Sequence, residues 1–121
     1  MPPREGQVIT FGQLIKRARK AKRLTLREVA QELGDVSLTY LHDIEAGTRL
    51  PFRLERLEKL AEILSVDLQE LCVAAAVARG SFQIPFQKDR VKANHCAAVL
   101  QHRWTGLSAD AYRSILKIVG A

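Results

Sequence analysis

The same helix-start pattern recurs five times along this chain of 121 residues. Each time, a side chain that can accept a hydrogen bond from an unpaired backbone N–H precedes a stretch of periodic apolar residues. Thr10, Thr25 and Asp67 are followed three residues later by Gln or Glu, which is the arrangement of a capping box. Ser37 and Ser108 lack that partner, but all five positions are flanked by apolar residues at the spacing of a hydrophobic staple. The repeated pattern predicts an all-α fold.

Apolar periodicity and stop signals indicate seven helices and their approximate bounds. The predicted helices cover residues 11–21, 26–33, 38–46, a segment after Pro51 that carries Leu54 to Leu64, then 68–79, 89–104 and 109–119. Gly34, Gly47 and Gly80 each follow a predicted helix, where glycine is common. Residues 81–87, which include Pro85, are predicted to be extended. These signals place a linker between the first five helices and the last two.

The length of 121 residues fits one domain, or a small domain with an extension. We expect a five-helix domain over residues 1–80 and a C-terminal helical region over residues 81–121. A hydrophobic share of 47% is too high for a disordered tail. No apolar run approaches the roughly 18 residues of a membrane-spanning helix, and Met1–Arg4 does not begin a signal peptide. These features predict a cytoplasmic protein with no membrane partner.

Basic residues are unevenly distributed along the chain, whose formal net charge is +6. Residues 1–27 carry eight basic residues and one acidic residue, and residues 76–121 carry seven basic and two acidic residues. Residues 28–75 carry four basic and ten acidic residues instead. A positive surface field of this kind favours a polyanionic partner, and much of it lies around the first predicted helix.

Neither a metal site nor a catalytic constellation is expected from this sequence. His95 and His102 are seven positions apart on a predicted helix, about 10 Å along its axis, which is too far for one metal ion. Cys72 and Cys96 do not form a CxxC pair, so we expect two small hydrophobic residues and no disulfide framework or structural zinc. No Ser/His/Asp or paired-carboxylate arrangement can be assembled. We therefore expect a protein that is not an enzyme and uses no cofactor.

A short link, Gly34-Asp35-Val36-Ser37, joins the second and third predicted helices. Two short helices with such a link form a helix-turn-helix unit, whose second helix enters the major groove of DNA. From Phe11 to Leu71 the sequence resembles the Xre family, the phage Cro/repressor type of helix-turn-helix. The residues that carry the resemblance are, in order, Leu14, Ile15, Arg19, Leu24-Thr25-Leu26-Arg27-Glu28-Val29-Ala30, Leu33-Gly34, Leu41, Ile44-Glu45, Gly47, Pro51, Leu57, Leu60-Ala61, Leu64, Val66 and Leu71. The resemblance implies a domain that binds double-stranded DNA.

The resemblance implies that four positions of the third helix face base edges: Leu38, Thr39, His42 and Asp43. Thr39 can hydrogen-bond to base edges, Leu38 can contact a thymine methyl group, and Asp43 can accept from cytosine N4. The alternative for Asp43 is an intramolecular partner that positions a nearby basic side chain, and for His42 it is a solvated surface position. Asp35 makes the turn one residue longer than the usual Gly-Val-Ser of the family, which can tilt the third helix.

Phosphate contacts need only hydrogen-bond donors and positive charge. The candidates are Thr25, Arg27, Tyr40, Arg49 and Arg53. Thr25 begins the second helix, whose N-terminal amides can meet a phosphate, and Arg27 lies in its first turn. Arg49 and Arg53 flank the loop after the third helix, where members of the family often contact the DNA backbone or minor groove. The alternative for each arginine is a solvated side chain, and for Tyr40 it is a packing role.

The resemblance also implies an ion pair between Arg19 of the first helix and Glu45 of the third. In the family the matching positions hold the recognition helix in place, so a structural role for them is favoured over the alternative of direct DNA contact. Removing one partner is strongly destabilising if the pair is buried, because the other charge is left unpaired.

The predicted helices beyond residue 80 carry an apolar surface that needs a partner. Its residues are Ala93, Cys96, Ala97, Leu100 and Trp104 and, in the last helix, Tyr112, Ile115, Leu116 and Val119. Members of the family pair two-fold to bind palindromes with half-sites about 34 Å apart, so we predict that this surface forms a homodimer. The alternative is that these helices fold back on the fifth helix as core.

The main hypothesis is a homodimeric repressor that occupies a palindromic operator. The tail from Arg103–Ser108 through Ile115–Lys117 also resembles that of Xre repressors encoded beside ImmA/IrrE-type zinc peptidases. That resemblance implies release of the operator when a partner peptidase cleaves the tail. The second hypothesis is an antitoxin, which neutralises a toxin or other partner protein through its C-terminal helices and uses DNA binding for autoregulation.

Overall fold

The computed structural model describes residues 9–82 and 84–121. Residues 1–8 and 83 lie outside the described part, and with them the prediction that no signal peptide begins at Met1–Arg4. All regular secondary structure of the described residues is helical, which confirms the all-α prediction. The elements are α1 (Phe11–Ala21), α2 (Leu26–Leu33), α3 (Leu38–Ala46), α4 (Leu54–Leu64), α5 (Leu68–Arg79), α6 (Val91–Arg103), a 3-10 turn (Trp104–Gly106) and α7 (Ala109–Ile118). Every helix in this part of the chain is too short or too polar to span a bilayer.

Local sequence signals set most of the helix ends. The bounds of α1, α2, α3 and α5 match the predicted ranges to the residue. The helix α6 begins at Val91 and not at residue 89, because Asp89 has a φ of 64°, a left-handed conformation that a helix does not contain. It ends at Arg103 because Trp104 starts a tighter 3-10 turn, and α7 ends one residue before the predicted position, at Ile118.

The predicted N-caps form the hydrogen bonds expected of them. The hydroxyl groups of Thr10 and Thr25 each accept from the backbone N–H three residues on, at 3.1 Å. The side chain of that third residue accepts in return from the cap's own N–H, so both capping boxes are complete. Ser37, Asp67 and Ser108 each accept from the N–H three residues on, also at 3.1 Å. These bonds satisfy backbone donors that a helix N-terminus otherwise leaves unpaired.

The chain divides into two compact units, Met1–Gln83 and Ile84–Ala121. In the first unit α1 packs against α3 and α5, α2 packs against α3 and α4, and α4 packs against α5. The largest fully buried side chains of this unit are Val29, Ile15, Leu41, Ile44, Leu60 and Leu71. Two of them belong to α3, so the core fixes that helix against α1 and α2.

The second unit contains α6, the 3-10 turn and α7, and none of these elements has a buried residue. The rings of Trp104 and Tyr112 meet edge to face with centroids 5.1 Å apart, and the Tyr112 hydroxyl donates to the Trp104 carbonyl. The side-chain amide of Asn94 accepts from the N–H of Gln87 at 2.8 Å and donates to its carbonyl at 2.6 Å. Local contacts of this kind hold the unit, which lacks a hydrophobic core of its own.

Candidate nucleic-acid interface

The helix-turn-helix unit consists of α2, the link at residues 34–37, and α3. Gly34 ends α2 with a φ of 91°, a conformation that residues with a Cβ rarely adopt. Val36 is buried in the core, and the Ser37 side chain caps α3. The link is therefore fixed at its start by backbone conformation, in its middle by burial, and at its end by a hydrogen bond.

Asp35, the additional residue of the turn, is exposed and contacts α4. Its Oδ2 atom lies 2.6 Å from Nη2 of Arg56. Lys59, on the next turn of α4, donates to the carbonyl of Leu33 at the end of α2, at 3.1 Å. Because Asp35 is largely exposed, its ion pair contributes only about 0–1 kcal/mol to stability. The turn is thus linked to α4, and the tilt of α3 expected from the longer turn stays a prediction.

The four predicted base-edge residues lie on the part of α3 that faces away from the core. They are Leu38, Thr39 and His42, which are exposed, and Asp43, which is half-buried. The buried residues of the same helix are Leu41 and Ile44. This alternation of buried and exposed positions presents one side of α3 to an external partner.

Asp43 has two partners within the domain. Its Oδ1 atom lies 3.6 Å from Nδ1 of His42, and its Oδ2 atom lies 3.5 Å from Nε of Arg49. The guanidinium carbon of Arg49 also lies 5.0 Å from the ring centroid of Tyr40, within the range of a cation–π contact. This geometry favours the alternative in which Asp43 positions a basic side chain.

The predicted phosphate-contacting residues lie at the start of α2, in α3 and in the segment after α3. Thr25 caps α2, and Arg27 is exposed in its first turn. Arg53 is exposed at the N-cap position of α4. Tyr40 is half-buried, and its ring lies 5.7 Å from that of the buried Phe52, so it has a packing contact. The structure brings Tyr40 together with Arg49, as described above.

Arg19 and Glu45 form a bidentate ion pair. Nε of Arg19 lies 2.7 Å from Oε2 of Glu45, and Nη2 lies 3.0 Å from Oε1. Nη1 donates to the carbonyl of Leu24 at 2.9 Å. The two side chains are 11% and 6% exposed, and the hydrogen bonding to Glu45 raises the pKa of Arg19 above its ordinary value. The pair joins α1 to the last turn of α3 and to the segment before α2.

Gly12, which sequence reasoning does not identify, lies where α1 meets α3. A Cβ at this position would be 2.3 Å from the carbonyl oxygen of Glu45 and 2.8 Å from that of Ile44. Only glycine permits this approach of the two backbones. The sequence signal that could have identified it is a glycine inside the first turn of a helix, where glycine is unfavourable and where Thr10 already supplies the cap.

All nine predicted dimerisation residues lie in the second unit. The half-buried ones are Ala93, Ala97, Leu100, Tyr112 and Ile115, and the exposed ones are Cys96, Trp104, Leu116 and Val119. The structure brings Trp104 and Tyr112 into ring contact. Exposed and half-buried apolar residues therefore lie close together in sequence along this unit, and their use in a dimer stays a prediction.

The two cysteines carry no disulfide. Burial raises the pKa of the half-buried Cys72 thiol, and the charges of Glu58 and Asp67 raise it further, which disfavours the reactive thiolate. In residues 9–82 and 84–121, no group of three or more His, Cys, Asp or Glu side chains is arranged to hold a metal ion. The exposed polar candidates of the first unit include Thr39 on α3 and the basic side chains of Arg27, Arg49 and Arg53.

Comparison with known proteins agrees with this geometry. Residues 15–71 match a protein-family model described as helix-turn-helix. No curated protein and no solved structure matches the chain. The matched range runs from the middle of α1 into α5, so it contains α2, the link and α3.

Proposed function

Because the domain at residues 15–71 belongs to the Cro/C1-type, Xre-like helix-turn-helix family, the chain is a DNA-binding transcriptional regulator, and we propose that it is a homodimeric repressor. In this proposal α3 enters the major groove and its outer residues contact base edges. Occupancy of a palindromic operator then blocks transcription. The cytoplasmic location expected from the sequence is part of the same proposal.

One observation carries the DNA-contact part of the proposal: the acidic residues of α3 are paired within the domain. Asp43 is paired with Arg49, and Glu45 with Arg19. Without these partners, two carboxylates in the recognition helix would repel the phosphates. With them, Thr39 remains exposed for base contact on a surface where carboxylate repulsion is reduced. Affinity then comes from basic residues outside α3.

Two alanine substitutions separate phosphate contacts from base contacts. Arg27→Ala is expected to weaken binding to every duplex by a similar factor and to reduce the slope of log affinity against log salt by about 1. Thr39→Ala is expected to change the preference among sequences, by about 1 kcal/mol for the preferred site. The measurement first enriches duplexes from a random pool with the wild-type chain. It then titrates each variant against enriched and scrambled duplexes at several salt concentrations.

Lys92→Ala is the matched control, because it removes one positive charge from an exposed position of α6, outside the helix-turn-helix domain. Its affinity is expected to stay close to that of the wild type. Failure of the wild-type chain to enrich any common sequence would contradict sequence-specific binding. An equal loss on every duplex for Thr39→Ala would show that its base-edge role is wrong.

The homodimer part of the proposal rests on the exposed apolar surface of the second unit. Leu116 of α7 and Val119, its C-cap residue, are 51% and 69% exposed, although they lie at the helical spacing of the half-buried Tyr112 and Ile115. A two-helix unit without buried residues gains stability when such a surface is removed from water. A second copy presents the same surface through a two-fold axis.

Leu116→Glu is expected to raise the dimer dissociation constant at least about tenfold, because it would bury a charge in the interface. Ile118→Glu is the matched control: Ile118 is also exposed on α7, at 84%, but it lies outside the predicted surface. Sedimentation equilibrium of the full chain measures the dimer dissociation constant of the wild type and of both variants. A monomeric wild-type chain, or equal effects of the two substitutions, would refute this interface.

Control by a peptidase or a toxin stays a prediction from the sequence. The segment that resembles the peptidase-regulated repressors, Arg103–Ser108, contains the exposed 3-10 turn. An exposed turn is accessible to cleavage, but it is equally accessible to a protein that binds α6 and α7 without cutting. The homodimer is therefore preferred here over binding of a peptidase or of a toxin.

A further inference from the structure

Arg79, the last residue of α5, contacts the segment that follows the recognition helix. Its guanidinium donates a hydrogen bond to the carbonyl of Pro51, which lies 28 positions earlier in the chain and in the same compact unit. Pro51 is buried and Arg79 is half-buried, so this bond is partly shielded from water. A charged donor in such a position makes a stronger hydrogen bond than a neutral one.

The Pro51 carbonyl lies at the middle of the loop that carries two predicted phosphate-contacting residues. Arg49 and Arg53 are each two positions from Pro51. The start of the loop is attached to α3, because the N–H and the hydroxyl of Thr48 donate to the Asp43 carbonyl at 3.0 and 3.2 Å. Arg79 attaches the middle of the loop to α5. These two attachments, to α3 at the start and to α5 at the middle, add to the burial of Pro51 and Phe52.

One open groove connects these groups. Its lining includes Tyr40, Arg49, Phe52, Arg53 and Arg79. We propose that Arg79 is a positioning residue for DNA binding, which holds the Pro51 carbonyl and thereby keeps Arg49 and Arg53 where they meet phosphates. This inference rests on the proposed DNA-binding function and on those two phosphate contacts.

Arg79→Met tests the proposal, because methionine keeps an aliphatic side chain but removes the donors and the charge. With a duplex of random sequence, the affinity is expected to fall about tenfold, and the slope of log affinity against log salt is expected to fall by about 1–2 as the neighbouring contacts are lost. In an Arg49→Ala/Arg53→Ala background the same substitution is expected to change affinity by less than about twofold, because nothing is left to position.

An equal loss in both backgrounds would overturn the proposal, since Arg79 would then contact phosphate itself or act through its charge alone. An Arg49→Ala/Arg53→Ala chain that binds like the wild type would overturn it for another reason, because the two phosphate contacts would be wrong. Absence of any duplex binding by the wild-type chain would be a failure of the proposed function itself. The three results are distinguishable in one set of titrations.

Nuclear magnetic relaxation of the full chain tests the positioning role without DNA. In Arg79→Met, the backbone order parameters of the exposed residues 49, 50 and 53 are expected to fall from about 0.85 towards about 0.6, while those of the buried Phe52 and of α1 to α3 stay unchanged. Arg113→Met, at an exposed position of α7, is the control and should leave the loop rigid. An unchanged loop in Arg79→Met would overturn the proposal.

If Arg79→Met does not fold, Arg79→Lys takes its place in both experiments. Its effects on affinity and on the order parameters are expected to be smaller and in the same direction, because lysine keeps one donor group.

Discussion

Arg19→Met is expected to lower the free energy of unfolding by about 3 kcal/mol, the lower end of the range for breaking a buried ion pair. The substitution leaves Glu45, whose side chain is 6% exposed, without its two guanidinium contacts. It also removes the donor to the Leu24 carbonyl. Methionine replaces most of the aliphatic volume, so the loss reports mainly an unpaired charge. Urea unfolding followed by circular dichroism measures it.

The double variant Arg19→Met/Glu45→Leu separates the unpaired charge from the lost contact. Its stability is expected to lie much closer to that of the wild type, because neither charge then remains buried alone. The single variant should also bind DNA more weakly than the loss of one charge explains, since the pair holds α3 against α1. A loss below about 1 kcal/mol in the single variant would mean that the pair behaves as an exposed one.

Gly12→Ala is expected to destabilise the first unit by about 3 kcal/mol, the upper end of the usual range for overpacking. Helix propensity alone predicts the opposite sign, a gain of up to about 1 kcal/mol for alanine over glycine. The new Cβ would lie 2.3 Å from a backbone oxygen of Glu45, which cannot rotate away as a side chain can. We therefore expect α1 to move off α3, with strain on the nearby ion pair. Urea unfolding measures whether the substitution lowers or raises the free energy of unfolding.

Gly106→Ala is the matched control for this substitution. A Cβ at Gly106 would meet no atom within 4 Å, and its φ is not positive. Its stability is therefore expected to stay within about 0.5 kcal/mol of that of the wild type. A Gly12→Ala chain as stable as the Gly106→Ala chain would show that the close approach of α1 and α3 does not constrain this position.

Helix positions in this protein were predictable because their signals are local. A cap such as Thr25 bonds to an N–H three residues away, so its sequence signal lies within one helical turn. The start of α6 was less predictable, because the left-handed backbone at Asp89 has no strong sequence marker. The domain type was also readable, since the ordered motif residues from Ile15 to Leu71 lie within the range that matches the family model.

The site was only partly predictable, because several of its contacts join residues far apart in sequence. Arg79 reaches Pro51 across 28 positions, and the Arg19–Glu45 pair spans 26. The second of these came from a family resemblance, and without that resemblance neither partner carries a sequence signal. The pairing of Asp35 with Arg56 was also invisible in the sequence, since a charged residue in a turn is ordinarily solvated.

The sequence by itself determined the helices, their caps and the helix-turn-helix link, because each depends on residues within a few positions of one another. Only the tertiary structure decided the pairing of Asp35 with Arg56 and of Arg79 with the Pro51 carbonyl, because that depends on how closely elements distant in sequence pack. Gly12 shows this most directly, because the absence of a Cβ at this position permits α1 to approach α3 closely. The Arg19–Glu45 ion pair joins the same two helices. Net charge indicated a polyanion, and the tertiary pairing of carboxylates on α3 indicates how that helix can approach one.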